Sequence, residues 1–361
     1  MKKAIPVFLV VILLSIFTLV FAVSSSAAEA KKYKFIFSTT LPSTGWQSVH
    51  TMMPWFEQVE KVTNGQITFE PYWGGSLAKS RAVWDSLKNG MIDVSDVGFH
   101  YWPGLVDLHT VITLPFLEYQ SAEHESIVNW KLYEQFPEIR KEYEDNKVLL
   151  FYTSTPFFFI SNKKQIKSME DFKGLKVRVT GGEALQYMVE LAGGIPTTVS
   201  GAEIYSALEK GVIDATVTNW DMLMIFRLYE VAKYYFVGPF NAGARGLCMN
   251  WPSWNSLTPD LQEKLMSVCG MEGSRFWART TYDESEGPVR EKVKSEGYQI
   301  IQTNASPAEM KKWKDLYGEK LWGFWIKLAL KKAKAQGHPD PEGLVKKILS
   351  TTQELIKTTA K

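Results

Sequence analysis

Residues 86–93 read SLKNGMID, and the same pattern returns as ALEKGVID at residues 207–214. Both copies have the form x-Leu-x-x-Gly-x-Ile-Asp, in which a helix ends, a glycine adopts the left-handed conformation and a buried strand begins. Many α/β turns share this pattern, but here one copy falls in each half of the chain, at a similar place in the order of predicted elements. The repeat therefore predicts two similar α/β lobes with a cleft between them.

Hydrophobic periodicity extends the pattern outwards from each copy. Around the first copy the order is β-α-β-α-β, which predicts a largely parallel sheet with helices on its faces. The second copy follows a short helix capped by Ser168, and the mostly helical last third has helix starts at Thr258 and Ser306. The predicted strands are 33–37, 66–72, 91–97, 175–179 and 212–217, and the predicted helices are 48–62, 78–88, 183–191, 202–210 and 309–335.

The composition limits the classes of function. The chain has 361 residues, and its 41 basic and 39 acidic residues leave a net charge of +2, which excludes a general nucleic-acid binder. Aromatic residues form 13% of the chain, which excludes an acidic disordered chain. They either fill the cores or line a pocket. The two cysteines, Cys248 and Cys269, either pair or remain as buried thiols, and neither case makes a disulfide scaffold.

Residues 1–30 have the features of a secretory signal peptide. Lys2 and Lys3 precede an apolar run over residues 4–23, and residues 28–30 (AEA) match a small-x-small cleavage site. The alternative is an uncleaved membrane anchor, because a run of about 20 residues is long enough to span a bilayer. The short basic start and the small residues at the end favour cleavage, so we expect an exported, periplasmic protein.

Sequence motifs of enzymes and metal sites are missing. The chain contains no Gly-x-Ser-x-Gly elbow, no P-loop, no Gly-x-Gly-x-x-Gly, no His-Glu-x-x-His and no Cys-x-x-Cys. We therefore expect a protein that is not an enzyme and has no cofactor and no bound metal. Catalysis by residues that only the fold brings together stays open as the alternative, in the form of an exported α/β hydrolase or lyase.

A charged residue inside an apolar strand is the first candidate for ligand binding. Arg178 lies in the strand 175–179, just before Gly181 and Gly182. A guanidinium at the carboxyl end of a strand can hold a carboxylate through two parallel hydrogen bonds. The alternative is a structural arginine that is paired with an acid or solvated.

Amide and aromatic side chains follow several predicted strands. Asn219 and Trp220 come after the strand 212–217, where they could bond and stack on a ligand, or serve as a helix cap and a core residue. The phenylalanines at 157–159 fall at the predicted crossing between the lobes, where at least one should meet the cleft. Aromatic residues are more often core than pocket. The other aromatic residues that follow strands are Tyr101, Trp46 and Trp73.

Six short stretches, in this order and spacing, resemble the solute-binding proteins of TRAP (tripartite ATP-independent periplasmic) transporters, the DctP-like family. The resemblance extends from about Tyr33 to Trp325. The stretches are NGQI (64–67), LKNGMID (87–93), DFKGLKVR (171–178), GIPT (194–197), EIYSAL (203–208) and GVIDA (211–215).

The resemblance implies an α/β, two-lobe fold like that of periplasmic binding proteins, with mixed, mainly parallel sheets, a ligand cleft between the lobes, and long crossing and C-terminal helices. Lobe I would comprise 31–155 and about 245–272, and lobe II 156–244 and about 273–361. The ligand would be an organic acid, delivered to a membrane permease with a small and a large subunit. A sensory role towards a membrane kinase is the alternative. We expect a monomer without a nucleic-acid partner.

The resemblance also assigns roles to single residues. The family's carboxylate-binding arginine falls on Arg178, and its polar residue after the last lobe II strand falls on or near Asn219. Phe158 stands where several relatives carry a second Arg or a Gln, and Thr218 where 2-oxoacid-binding relatives carry an acid. These departures count against a metal ion and a second anionic group on the ligand.

The departures favour a monocarboxylate with an apolar or aromatic body, held by one arginine and enclosed by rings. A C4-dicarboxylate is the alternative ligand. The residues expected around the ligand are Arg178, Asn219, Trp220, Phe158, Tyr101, Trp46 and Trp73.

Overall fold

The computed structural model describes residues 31–154, 157–179, 183–238, 240 and 243–359. The predicted signal peptide (1–30) lies outside the described residues, as do Gly181 and Gly182. Among the helices of the described chain, none is long and apolar enough to cross a membrane.

The strands of the described chain form two mixed sheets. They are β1 Tyr33–Ser38, β2 Ile67–Tyr72, β3 Val94–Gly98, β4 Lys147–Thr153, β5 Phe158–Ser161, β6 Lys176–Arg178, β7 Ile195–Thr197, β8 Ala215–Thr218, β9 Tyr234–Val237, β10 Ala244–Met249 and β11 Ile301–Asn304. The first sheet has the order β2-β1-β3-β10-β4 and the second β11-β9-β5-β8-β6-β7. In each sheet parallel pairs adjoin antiparallel ones: β1 runs parallel to β2 and β3, whereas β10 runs antiparallel to β3 and β4. The predicted α/β fold of two lobes is confirmed.

Helices cover the faces of both sheets and fill the last third of the chain. Thr258 and Ser306 cap their helices as predicted, and Ser168 forms the predicted capping box with Asp171. The helices are α1 Met53–Val62, α2 Val83–Lys88, α3 Ala122–Gln135, α4 Pro137–Lys141, α5 Glu183–Leu191, α6 Ile204–Glu209, α7 Trp220–Ile225, α8 Trp251–Ser256, α9 Pro259–Ser267, α10 Gly270–Ala278, α11 Glu286–Ser295, α12 Pro307–Ala335 and α13 Pro341–Thr359.

The repeated octapeptide makes the same turn in both sheets. Gly90 and Gly211 adopt left-handed conformations with φ of 68° and 69°. The aspartate that ends each copy then bonds the neighbouring parallel strand twice. The Asp93 carboxylate accepts from the amide of Ile36 (2.8 Å) while its own amide donates to the Ile36 carbonyl (3.1 Å). Asp214 makes the same pair of bonds with Lys176, at 2.9 and 2.8 Å.

Each sheet has a buried core on both faces, which explains the run of three phenylalanines. Phe157 and Phe159 point into one core of the second sheet, and Phe158 points into the other. All three side chains are buried, and the expectation that one of them meets the cleft stays a prediction. The cysteines are free and buried, and Cys248 and Cys269 belong to different cores.

The C-terminal helices pack differently from the predicted lobe boundary at 272. The first half of α12 packs on the second sheet through Trp313, but its second half packs on the first-lobe core through Trp325. Leu344 and Ile348 of α13 join that first-lobe core. Because α12 has 29 residues, it is about 44 Å long and crosses from one lobe to the other. Trp277, which also follows the predicted boundary, lies in a first-lobe core as well.

Candidate functional site

Arg178 is a buried cation with no counterion among the residues that the structure describes. It ends β6, and only 7% of its surface is exposed. Its Nε donates to the Val199 carbonyl (3.1 Å), but Nη1 is buried and has no hydrogen-bond partner in the described chain. No carboxylate of the described chain forms an ion pair with it, and burial lowers the pKa of its guanidinium to about 10. A buried charge is normally paired, so Arg178 has the properties of a group that receives its counterion from a ligand.

His100 and Tyr101 of the first lobe face this arginine. They belong to the short helical turn Phe99–Tyr101 that follows β3, and their rings lie 4.2 Å apart. Burial, together with the charges of Arg245 and Arg178, lowers the pKa of His100 to about 3, so its imidazole is neutral at physiological pH. Nδ1 of His100 is buried without a partner in the described chain.

A second arginine, Arg245 of β10, stands in the first lobe and is paired. It forms an ion pair with Asp96 of β3. Its Nε donates to the Tyr152 hydroxyl (2.8 Å), which also accepts from Nε2 of Gln47 (2.8 Å). Arg245 is therefore neutralised and held by its own chain.

Asp221 faces Arg245 from the second lobe. It lies in the first turn of α7 and is buried, with Oδ1 unpartnered among the described residues. Burial raises the pKa of its carboxyl to about 7, and the charge of Arg245 opposes the shift. The two lobes thus meet at a group of charged side chains, from Arg178 to Asp221.

A cavity of about 320 Å³ opens beside this group. His100 and Ala244, the residue before Arg245 in β10, line it from the first lobe, Ala184 of α5 lines it from the second, and Asp107 and Lys331 add charges. A cavity of about 150 Å³ accommodates benzene, so this one has room for a ring with a short substituent. The large apolar side chains that line the cavity are Phe99, Trp102, Val106, Leu114, Phe324, Trp325 and Leu328.

A wider crevice of about 730 Å³ lies elsewhere between the lobes. Trp46 lines it, stacks on His50 with 3.8 Å between ring centres, and donates from Nε1 to the Thr280 carbonyl (2.9 Å). Met224 and Ile225 line it from the second lobe. Trp46 therefore faces a space between the lobes, but in the crevice rather than the cavity.

The other predicted residues are used inside the lobes. Asn219 caps α7, because its Oδ1 accepts from the Met222 amide (2.8 Å). Trp220 packs against Phe158 (4.7 Å between ring centres) and stacks on Tyr235 (6.0 Å) in a buried aromatic cluster. Trp73 packs against the first-lobe core. The structure therefore brings Tyr101 to Arg178 but keeps Phe158, Trp220 and Trp73 in cores, where they complete the packing of the sheets.

Sequence reasoning missed His100, Asp96, Arg245 and Asp221. Arg245 carried the same signal as Arg178, a charge inside an apolar strand, and the same rule would have found it. Asp221 carried no signal, because an acid in the first turn of a helix is ordinary.

Comparison with known proteins gives the family. The family model of DctP, bacterial extracellular solute-binding protein family 7, matches residues 37–326. A solute-binding protein of Albidiferax ferrireducens is 27% identical over 271 residues, which are 73% of this chain and 77% of that protein.

Solved structures have the same fold. A TRAP solute-binding protein from Rhodoferax ferrireducens T118, in complex with copurified benzoate, superposes with a TM-score of 0.80 at 23% identity, covering 91% of this chain and 98% of that one. A marine metagenome TRAP solute-binding protein specific for aromatic acid ligands, in complex with 3-hydroxybenzoate, gives a TM-score of 0.80 at 25% identity and covers 92% and 100% of the two chains.

Proposed function

The chain belongs to family 7 of the bacterial extracellular solute-binding proteins, a family that binds solutes for transport and is not enzymatic, and on this basis we propose that it binds an organic monocarboxylate with an apolar or aromatic body. The observation that carries the proposal is the buried guanidinium of Arg178, whose Nη1 has no hydrogen-bond partner among the described residues, together with an apolar cavity lined by His100, whose pKa the charge of Arg178 lowers.

The carboxylate would bind to Arg178, where Nη1 lacks a partner. Hydrogen bonds between charged groups contribute about 1.5–3 kcal/mol each, and the guanidinium is already desolvated, so binding restores the missing counterion. Tyr101 would close over the carboxylate from the first lobe. Asn219 would support the site by fixing the start of α7, and Trp46 would line the separate crevice between the lobes.

The body of the ligand would enter the 320 Å³ cavity, whose walls are mostly apolar. Burial of apolar surface favours a ring or a branched chain there. The similar marine metagenome protein, specific for aromatic acids, supports an aromatic body.

The alternative ligand, a C4-dicarboxylate, needs a second free cation. Arg245 is a half-buried arginine near the same site, and Asp96 forms an ion pair with it. Lys331 lines the cavity together with Asp107, whose carboxylate its charge offsets, so a single carboxylate fits the charges of the site better.

After removal of residues 1–30 the protein would act in the periplasm as a monomer. It would close its lobes around the acid by a hinge motion and deliver it to the small and large subunits of a TRAP permease.

A thermal-shift screen followed by calorimetry tests the proposal. Benzoate, phenylacetate and mandelate should raise the unfolding temperature, since a ligand that binds only the native state stabilises it by about 2.7 kcal/mol at 100 times its Kd. Succinate and malate should have no effect. Stabilisation by the C4-dicarboxylates alone would replace the proposed ligand with the alternative one.

A further inference from the structure

Two arginines, the buried Arg178 and the half-buried Arg245, lie near the space between the lobes, and only one of them is paired with an acid of the described chain. Arg178 has an unpartnered Nη1, whereas Arg245 is bound by Asp96. Arg245 pairs with Gly98 across β10 and β3, directly before the turn that carries His100, and the charges of Arg245 and Arg178 both lower the pKa of His100, so both arginines lie at the same part of the interface. A ligand with two carboxylates would use both cations if both were free.

Asp96 prevents a second ligand carboxylate from using Arg245. Its carboxylate neutralises Arg245 and leaves its other oxygen, Oδ1, buried and without a partner in the described chain. A ligand carboxylate that approached Arg245 would meet this negative charge at short range in a poorly hydrated site, where like charges repel strongly.

Arg245 does not depend on Asp96 alone for its position. The Tyr152 hydroxyl accepts from its Nε, and Gln47 donates to the same hydroxyl. Removal of the Asp96 charge would therefore leave a cation that is still held in place and has lost its counterion.

We propose that Asp96 is a specificity-determining residue that makes the site select one carboxylate, by withholding Arg245 from the ligand. Asp96 acts through Arg245 and does not itself bind the ligand. This inference rests on the proposed function of the same site.

The test is Asp96→Asn with four probes of the same ring: benzoate, phthalate, isophthalate and terephthalate. Calorimetry on the wild-type protein should detect benzoate binding and much weaker binding of the three dicarboxylates. In the D96N variant at least one dicarboxylate should bind about tenfold tighter or better, while benzoate affinity stays within about threefold. The readout is the change of preference, which loss of structure alone would not produce.

Two variants control the result. D145N removes an acid from a first-lobe ion pair, with Lys88, away from the site, and should leave all four affinities unchanged. The double variant D96N/R245Q removes both charges and should abolish the gain. If D96N alone does not fold, the double variant D96N/R245Q remains informative, because it leaves no charge of this pair unpaired and the inference predicts that it still binds benzoate.

The outcomes separate the two claims. Wild-type protein that binds none of the four probes contradicts the proposed function. Benzoate binding in both proteins with no dicarboxylate gain in D96N, or loss of benzoate binding in folded D96N/R245Q, contradicts the role of Asp96.

Discussion

Strands β6 and β10 each carry one arginine inside an apolar run, yet the two arginines have opposite roles. Arg178 of β6 lies opposite two threonines of its neighbouring strands, Thr197 and Thr216, and no acid of the described residues forms an ion pair with it. Arg245 of β10 has Asp96 on the next strand and forms an ion pair. β6 thus carries a cation without an ion pair in the described chain, and β10 carries an arginine that Asp96 neutralises.

This difference shows which feature of the protein selects an acid as its ligand. The net charge of the chain is only +2, so a broad basic surface does not attract the ligand. The single desolvated guanidinium of Arg178 attracts the ligand instead. Because its Nη1 is buried without a partner in the described chain, Arg178 lowers the stability of the unliganded protein while it favours binding. Exchanging each arginine for an apolar residue of similar length separates these two properties.

The first expected effect is on the affinity for the ligand. Arg178→Met should weaken binding of benzoate by at least about 100-fold, or about 2.7 kcal/mol, because the carboxylate loses a charge-assisted pair. Calorimetry measures it, with circular dichroism to show that the variant is folded. An affinity within about threefold of the wild-type value would remove Arg178 from the site.

The next effect is on the stability of the folded protein. Arg245→Met should lower the free energy of unfolding by about 3 kcal/mol, because it leaves the Asp96 carboxylate buried and unpaired. Urea unfolding without ligand measures this. An unchanged midpoint would mean that the Asp96 pair is not important for the native state.

The same measurement on the Arg178 variant should give the opposite sign. Without ligand, Arg178→Met should raise the free energy of unfolding by about 1 kcal/mol, because it removes a desolvated charge that has no counterion. A loss of stability as large as that of Arg245→Met would indicate that Arg178 is a structural residue.

Filling the cavity should change the free energy of ligand binding by a similar amount. Ala184→Leu should weaken benzoate binding by about tenfold, because the added methyl groups occupy space that the ring needs. Propionate, which is smaller, serves as the matched probe and should lose much less affinity. Equal losses for the two acids would place the ligand body outside the cavity.

The smallest effect is a pH dependence away from the arginines. Burial raises the pKa of Glu142 to about 8, although the amides of Leu108 and His109 donate to its carboxylate. The native state thus keeps a proton that the unfolded state releases near pH 4.5, and stability falls as pH rises towards 8, by up to about 1.4 kcal/mol per unit.

Glu142→Gln should flatten this fall between pH 7 and 8. Urea unfolding at both pH values measures it, and Glu144→Gln, which changes an exposed acid two residues away, is the control. An unchanged slope in the Glu142 variant would mean that the native state does not hold this proton.

The sequence predicted the parts of the fold that depend on local signals. The repeated turn, the helix caps and the position of Arg178 at the end of a strand all follow from spacing and residue type, and the structure contains them. The sequence could not predict that Arg178 has no ion-pair partner in the described chain, because this depends on which residues the neighbouring strands place beside it.

The pocket was predicted less well for a related reason. Phe158 and Trp220 follow or begin elements in the way that pocket residues do, but packing against Tyr235 on the covered face of the sheet decides their place. The real cavity also needs Phe324 and Leu328 from α12, a helix far away in sequence whose crossing between lobes has no local signal.

The most direct test compares benzoate with benzamide, its uncharged analogue of similar shape, in the wild-type protein and in Arg178→Met. The account predicts that wild type prefers benzoate by about 100-fold or more and that this preference falls to about threefold or less in the variant, a coupling of about 2 kcal/mol or more. An equal preference for benzoate in both proteins would contradict the claim that the unpartnered Arg178 recognises the carboxylate.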